Sequence, residues 1–414
     1  MQHMASSTLN IANSALSGLQ TALNSVYNNI ANANTKGYKR IDPQFIEAPT
    51  SVNSRGIFSG NGVFVNTARE ASNSFLDQNI LSSLQQKSAA ETAYSKAQEL
   101  DSVLSDYKIS NANAEFFNAL QDANNKPSGV AERTVLLAKA NQVADTWNNL
   151  QNRIDALKTD IGQEIPQVTN LVNSLATSIA QTPNADRSSL VQELNQYIGA
   201  SLSPDGSQVV LSSGQVLVDQ AVASPITGIT VDSTNIKGGQ IGGLIKAYQE
   251  NILPIENSLS AVRENWVNGI NTQHVQGQDL NGDPGQNLFS LSGNKISVNL
   301  NNYKQLALAA QGSDPEALGD NSNGLELSKL SSLGLSDYTA AVANSGIRTK
   351  QAGQWAGLSK STYNQAQASY DEFYGVNVDE ELLQLLKYQQ HYQAAAKLVE
   401  IDRAMFATLM GIFN

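Results

Sequence analysis

Apolar residues recur at steps of three and four along both ends of this chain. Near the start, Leu9, Ala12, Leu16, Leu19, Leu23, Val26 and Ile30 fall on one stripe. Near the end, Leu385, Tyr388, Tyr392, Ala395, Val399, Phe406, Leu409 and Phe413 do the same, with Asp402 as the one polar break. That spacing belongs to the seam of a coiled coil. A stripe at each end of one chain predicts that the two terminal helices pair. The C-terminal helix carries a second line beside the first: Leu398, Ile401, Met405 and Ile412. One antiparallel partner covers one stripe, so the second line predicts neighbours beyond this chain.

Between the ends the period changes several times. Residues 5 to 33 read as a helix, weak alone because it is rich in Ser and Asn and contains Gly18. The stretch 41–67 looks extended, interrupted by Pro43, Pro49, Gly56, Gly60 and Gly62. Helical character returns from about 70 to 108, and again over 129–180. The second stretch follows Leu136, Ala140, Val143, Trp147, Leu150, Ile154, Leu157, Ile161, Val168, Leu171 and Leu175, with Pro166 expected to kink or break it. A further helix is predicted over 185–200. The period then falls to two. Residues 208–212 and 215–219 flank Ser213-Gly214 as a hairpin, and Ile229-Thr230-Val231 is a candidate third strand. Helical spacing resumes over 241–272, interrupted by Pro254, and a Gly/Asn/Asp loop (275–287) leads to a short strand at 295–299. Residues 336–370 are helical, and Asp379-Glu380-Glu381 open the last helix with acids at its positive end.

The predicted fold is therefore mainly α: long terminal helices pairing as a coiled coil, a central helical bundle domain and a small β-rich insert. The terminal helices are assigned to 1–40 and 376–414, expected to be disordered in the monomer. The helical domain takes 41–200 and 239–375, with the β-prone stretch 41–67 inside it. The insert takes 201–238, with 287–300 as a candidate addition.

Composition narrows the function. The chain has 414 residues, enough for two or three domains. Its formal net charge is −11, which disfavours nucleic acid, because phosphate binding needs a basic surface. It contains no cysteine, which excludes disulfides and thiolate chemistry and suits either a reducing cytosol or export as an unfolded chain. No run of apolar residues is long enough to span a bilayer, and the first ten residues lack the pattern of a Sec signal peptide.

Candidate chemistry is thin. His3, His274 and His391 have no partner at a metal-ligand or catalytic spacing, and read as surface or helix-face residues. The run Asp279 to Asp283 resembles the start of a calcium loop, but Gly282 falls at the fourth place and Ser290 stands where the closing glutamate belongs, so it reads as an Asn/Gly turn. Glu380 and Glu381 read as helix-terminus charge. The chain is expected to be neither an enzyme nor a cofactor or metal binder.

The ends carry a further signal. Asn13 to Gln20, followed by Asn28-Asn29-Ile30-Ala31-Asn32-Ala33-Asn34-Thr35-Lys36-Gly37-Tyr38, resembles the N-terminal signature of bacterial flagellar axial proteins: the rod, hook and hook-associated subunits. Within it Asn28, Asn29, Ile30, Asn32, Thr35, Gly37 and Tyr38 are the signature positions. Val376 to Glu381, Tyr388-Gln389-Gln390 and Tyr392-Gln393-Ala394 are similar to that family's closing motif. The long helical middle resembles the hook-associated members, since hook and rod subunits pass into mainly β domains. Gly60 to Val65, Leu194-Asn195-Gln196, Gly242-Gly243-Leu244, Leu253-Pro254 and Asn271 to His274 extend the likeness. After Phe289 an outer domain carried by the larger members is reduced or missing.

The resemblance implies a structural subunit joining hook to filament, self-assembled into a ring or tube. The implied partners are the hook protein, a second junction protein (hook-associated protein 3), a cytosolic export chaperone on the C-terminal helix, and the flagellar type III export apparatus. The implied location is extracellular, in the flagellum. The alternatives are a hook or distal-rod subunit, an exported wall-cutting hydrolase, or a secreted coiled-coil adhesin or effector.

Overall fold

The computed structural model describes residues 2–35, 38–49, 51–52, 58–70, 73–313 and 319–412; side chains are described for these except at 2–8, 51–52, 58–59, 66–70, 185 and 409. The elements in chain order are α1 (Gln2–Asn32), β1 (Ile41–Glu47), β2 (Ser51–Val52), β3 (Phe58–Ser59), β4 (Val63–Glu70), α2 (Ser74–Asp106), α3 (Ile109–Asn125), α4 (Val130–Gln181), α5 (Ser188–Tyr197), β5 (Ala200–Leu202), β6 (Gln208–Leu211), β7 (Val216–Asp219), β8 (Val222–Ala223), α6 (Gly239–Lys246), α7 (Leu253–His274), β9 (Gly277–Gln278), β10 (Phe289–Ser292), β11 (Lys295–Val298), β12 (Ala309–Ala310), α8 (Ser322–Ser328), α9 (Leu335–Tyr374) and α10 (Val378–Ile412). Long helices dominate, so the chain is mainly α. Helix α3 carries no clear signal in the sequence reading; it is amphipathic, burying Ile109, Ala112, Phe116, Phe117 and Leu120.

The chain divides into two compact units, 1–80 with 364–414, and 81–363. In the first, α1 packs against α10 and against the antiparallel pair β1–β4. Residues 41–70, assigned from sequence to the helical middle, therefore lie with the terminal helices. The packing depends on a small residue: a Cβ on Gly18 would stand 3.4 Å from Phe45 Cε1 and 3.5 Å from Val65 Cγ2, so the strands sit close to the helix backbone.

The second unit is built on α4, which runs without interruption through Pro166. A proline ring collides with the carbonyl four residues earlier and forfeits one hydrogen bond. Here that earlier residue is Gly162, in open surroundings, and Pro166 itself is exposed. Buried Ile161, Ile165, Val168 and Val172 hold the helix on both sides. The heptad line read from sequence holds as far as Val168 and fails after it. Leu171 is half exposed, and Val172, Ala176 and Ile179 are buried instead. A straight helix turns every 3.6 residues, so a strict step of seven drifts off the buried face after a few heptads.

Pro254 does not interrupt the next helix either. A π-helical turn, Ala247–Ile252, joins α6 to α7, and the proline falls in the first turn of α7, where its missing N–H costs least. A cluster of Phe116, Phe117, Trp266 and Phe289, with ring centroids 4.9–6.1 Å apart, fills the core nearby.

The β insert is a four-stranded antiparallel sheet in the order β5-β6-β7-β8. Its turn has Gly214 at φ +86°, a conformation only glycine adopts freely. Ile229 to Val231 form no strand; β5 and β8 complete the sheet. Residues 289–298 form their own hairpin, β10–β11, and do not join it. The insert is pinned to the α4–α5 corner by buried Arg187, whose guanidinium donates to the carbonyls of Thr182 (2.9 Å), Gly206 (3.0 Å), Ser207 (3.1 Å), Ala180 and Gln220.

His274 corrects the sequence reading. It is the last residue of α7 and is fully buried, not a surface residue. Its Nδ1 bonds the Gln286 carbonyl and its Nε2 accepts from the Ala307 N–H at 3.0 Å, which fixes the neutral tautomer. Burial pushes its pKa down to about 4. The Asp279–Asp283 turn closes on itself: Asp279 Oδ1 accepts from the backbone N–H groups of Asn281 (2.8 Å) and Asp283 (3.0 Å).

Candidate assembly site at the paired terminal helices

The terminal stripes meet as their spacing predicts. On α1, Ala12, Leu19 and Val26 are buried, and Leu9, Leu16, Leu23 and Ile30 are partly so. On α10, Ala395 is buried, and Leu385, Tyr388, Tyr392 and Val399 are partly so. Asn29 meets Glu381, while Phe45, lying over Gly18, stacks on Tyr388 with centroids 6.0 Å apart. Helix α10 therefore runs back along α1.

A second line on α1 is made of small and polar residues: Gly18, Ala22, Ser25 and Asn29, all buried. Asn29 ends it and satisfies every polar position it has. Its Nδ2 donates to the Ile41 carbonyl at 3.0 Å and to Glu381 Oε2 at 3.1 Å. Its Oδ1 accepts from the Ile41 N–H and the Tyr38 hydroxyl, both at 2.8 Å. One side chain thus ties the first helix to the strand that follows it and to the last helix. The remaining signature positions act locally. Asn32 donates to the Asn28 carbonyl (3.0 Å) and accepts from Thr35 Oγ1 (3.2 Å), closing the end of α1. Asn28 and Thr35 are exposed, Ile30 is partly buried, and Gly37 lies outside the described residues.

Glu381 stands in the first turn of α10, as the sequence predicts, and makes a contact the sequence reading does not foresee. It is 5% exposed and faces Asn29, so it is more than charge at a helix start. The signal was present: Glu381 lies four residues before Leu385, on the same line. Its neighbour Tyr388 has its hydroxyl pKa raised by burial, with Asp42 and Glu381 adding to the effect. Asn377 caps α10 by accepting from the Asp379 N–H at 3.1 Å.

A second knot lies beside the first. Tyr374, 1% exposed, donates to Asp77 Oδ2 at 2.9 Å and accepts from the Asn73 N–H at 2.6 Å. Lys39 pairs with Asp77 at 3.0 Å and sits 4.4 Å from the Tyr374 ring centroid. The Arg40 N–H donates to the Tyr374 carbonyl at 3.0 Å. The sequence reading did not single out Lys39, Asp77 or Tyr374, because a knot joining three distant segments has no periodic trace.

The outer face of α10 remains open. Leu398, Ile401, Met405 and Met410 are each a little over half exposed, and Ile412 is 74% exposed. Phe406, expected on the inner seam, is also half exposed. Asp402 is 6% exposed and, among the described residues, its Oδ1 has no hydrogen-bond partner. Leu409 and Phe413 lie outside the described side chains.

Comparison with known proteins follows the same division. Residues 97–234 and 227–289 match the family model described as the flagellar hook-associated protein FlgK helical domain. Residues 9–39 match the flagella basal body rod protein model, and 367–412 the flagellar basal body rod FlgEFG protein C-terminal model. The flagellar hook-associated protein 1 of Salmonella typhimurium is 27% identical over 351 residues, covering 74% of this chain and 63% of that protein. The flagellar hook-associated protein 1 of Bacillus subtilis is 23% identical, covering 95% of this chain and 96% of that protein. A solved chain described as the flagellar hook junction protein FlgK from Burkholderia pseudomallei superposes with a TM-score of 0.47 at 21% identity, over 52% of this chain and 47% of that one. The chain thus spans just under two thirds of the Salmonella relative and nearly all of the Bacillus one. With both ends matching rod-type termini and the middle matching the hook-associated helical domain, this chain is similar to flagellar hook-associated protein 1 along most of its length.

Proposed function

We propose that this chain is a structural subunit of the junction between the flagellar hook and filament. The observation that carries the reading is the two-sided α10. Its inner line is covered by α1, and its outer line of Leu398, Ile401, Met405 and Ile412 is left to solvent. Apolar surface in a continuous stripe is normally an interface. Copies placed side by side around a tube would cover it, with the hook protein at one end and a second junction protein, hook-associated protein 3, at the other. The role is architectural, with no catalytic step. Before assembly the same face suits a cytosolic chaperone, which would hold the chain for the type III export apparatus and deliver it to the outside of the cell.

Electron microscopy of cells lacking the gene tests this, together with an immunoblot of the medium for flagellin. Complete hooks without filaments, and flagellin lost to the medium, are expected. Cells without hooks would move the subunit down to the rod or hook. Normal filaments would favour a secreted adhesin or effector. That class explains the heptads but supplies no reason for the Asn29–Glu381 tie between the two ends.

A further inference from the structure

A cleft of about 270 Å³ lies within the second unit, lined by Ala93 of α2, by Lys246, Glu250 and Asn251 around the π-helical turn, and by Arg348, Gln351, Ala352 and Trp355 of α9. Its charges are unevenly matched. Lys246 pairs with Glu250 at 2.8 Å and lies 4.9 Å from the Trp355 ring centroid. The Arg348 guanidinium donates through Nη1 to the Glu250 carbonyl, and among the described residues it has no carboxylate within ion-pair distance. Asn251 is 8% exposed and lines the cleft, yet its amide makes no hydrogen bond among the described residues. That amide is not sealed in, so its donors face whatever enters the cleft. The π-helical turn brings Glu250 and Asn251 to the cleft, and such turns recur at functional sites.

These groups define a ligand. A guanidinium with open donors selects a carboxylate, the amide offers it a further donor, and the indole face takes a short apolar stem. The volume suits one or two side chains and is small for a free cofactor. We propose that the cleft takes an aspartate or glutamate side chain presented by a second copy of this chain, gripped by Arg348 and Asn251 and laid on Trp355. The occupant follows from charge. The chain carries 37 acidic against 26 basic residues, so a neighbouring copy presents a net acidic surface to this open guanidinium. The second-copy part rests on the assembly reading above; the carboxylate chemistry does not.

Trp355 provides the readout. It is one of three tryptophans, and the other two, Trp147 and Trp266, are buried at 3% exposure. The soluble full-length chain is titrated with N-acetylglutamate methylamide while tryptophan emission is followed, with the glutamine analogue as the uncharged control. A saturable change in the millimolar range is expected for the acid and none for the amide. Arg348→Gln should weaken binding at least tenfold and Arg348→Lys by less, with Trp355→Phe removing the signal. Equal response to acid and amide, or an unchanged constant in R348Q, would overturn the carboxylate site. The source is tested by placing a photo-crosslinking phenylalanine at Gln351 in cells. A product of two copies, lost in R348Q, is expected. No product, or one with a different protein, would overturn the second-copy assignment and leave the junction phenotype as a separate question.

Discussion

Asn29 and Glu381 stand 352 positions apart in sequence and 3.1 Å apart in the structure, both buried. The carboxylate is tolerable there because the asparagine amide answers it, and the asparagine is tolerable because four partners surround it. Each group would be a penalty without the other. The signature asparagine is therefore a physical requirement of the fold's first unit.

Replacing Asn29 by Ala strands the Glu381 carboxylate and the Ile41 peptide groups. The first unit should lose about 3 kcal/mol, the cost of a few buried unsatisfied groups. Limited proteolysis should cut α1 and α10 faster while leaving 81–363 intact. Asn29→Asp sets two carboxylates face to face, so its defect should be largest at neutral pH and shrink on mild acidification.

His274 predicts an acid limit for the second unit. Its imidazole falls from an ordinary value of 6.5 to about 4 on folding, because burial disfavours the cation. Between those values the unfolded chain holds the extra proton. The stability is therefore fully present above pH 6.5 and is lost as pH falls towards 4, by about 3 kcal/mol in all. Denaturant midpoints across that window, compared with His274→Asn, should show the wild type losing more than the variant.

The outer stripe of α10 should separate assembly from stability. Leu398→Ser, Ile401→Ser and Met405→Ser change half-exposed positions, so each should alter the melting of the isolated chain by no more than about 0.5 kcal/mol. Combined, they should abolish self-association in sedimentation and filament attachment in cells. A large loss of monomer stability would instead place these residues in the fold.

Hydrogen exchange should rank the two units. Helices α1 and α10 each expose much of their surface, whereas α4 and α7 bury a continuous line. In the isolated chain, amides at 5–35 and 380–414 should exchange rapidly and those at 130–270 slowly. Strong protection at both ends would show that the terminal unit needs no neighbour to order it.

Much of this was legible in the sequence, for an identifiable reason. Helices longer than about ten residues announce themselves by periodicity, and the two terminal seams were read residue by residue until Asp402. What failed was long-range or aperiodic. The heptad line of α4 lost its phase after Val168, because seven residues are not two full turns. The β-prone stretch 41–67 reads as part of the helical domain until Gly18 is seen to admit Phe45 and Val65. His274 has no signature of burial, since its partners are the Gln286 carbonyl and the Ala307 N–H, which every sequence possesses. In the candidate site, resemblance marks Asn29 and Glu381 alike, and what leaves no periodic trace is the contact between them, 352 positions apart in sequence.

The tie between Asn29 and Glu381 also sets a timetable. A chain leaving a ribosome, or any pore too narrow for tertiary structure, emerges in order. The second unit, 81–363, can close while the tail is still held back. Helix α1 cannot, because the residues that cover its seam and answer its asparagine arrive last. The opening segment must stay unspent until the closing one appears, so the first unit cannot close before α10 has emerged.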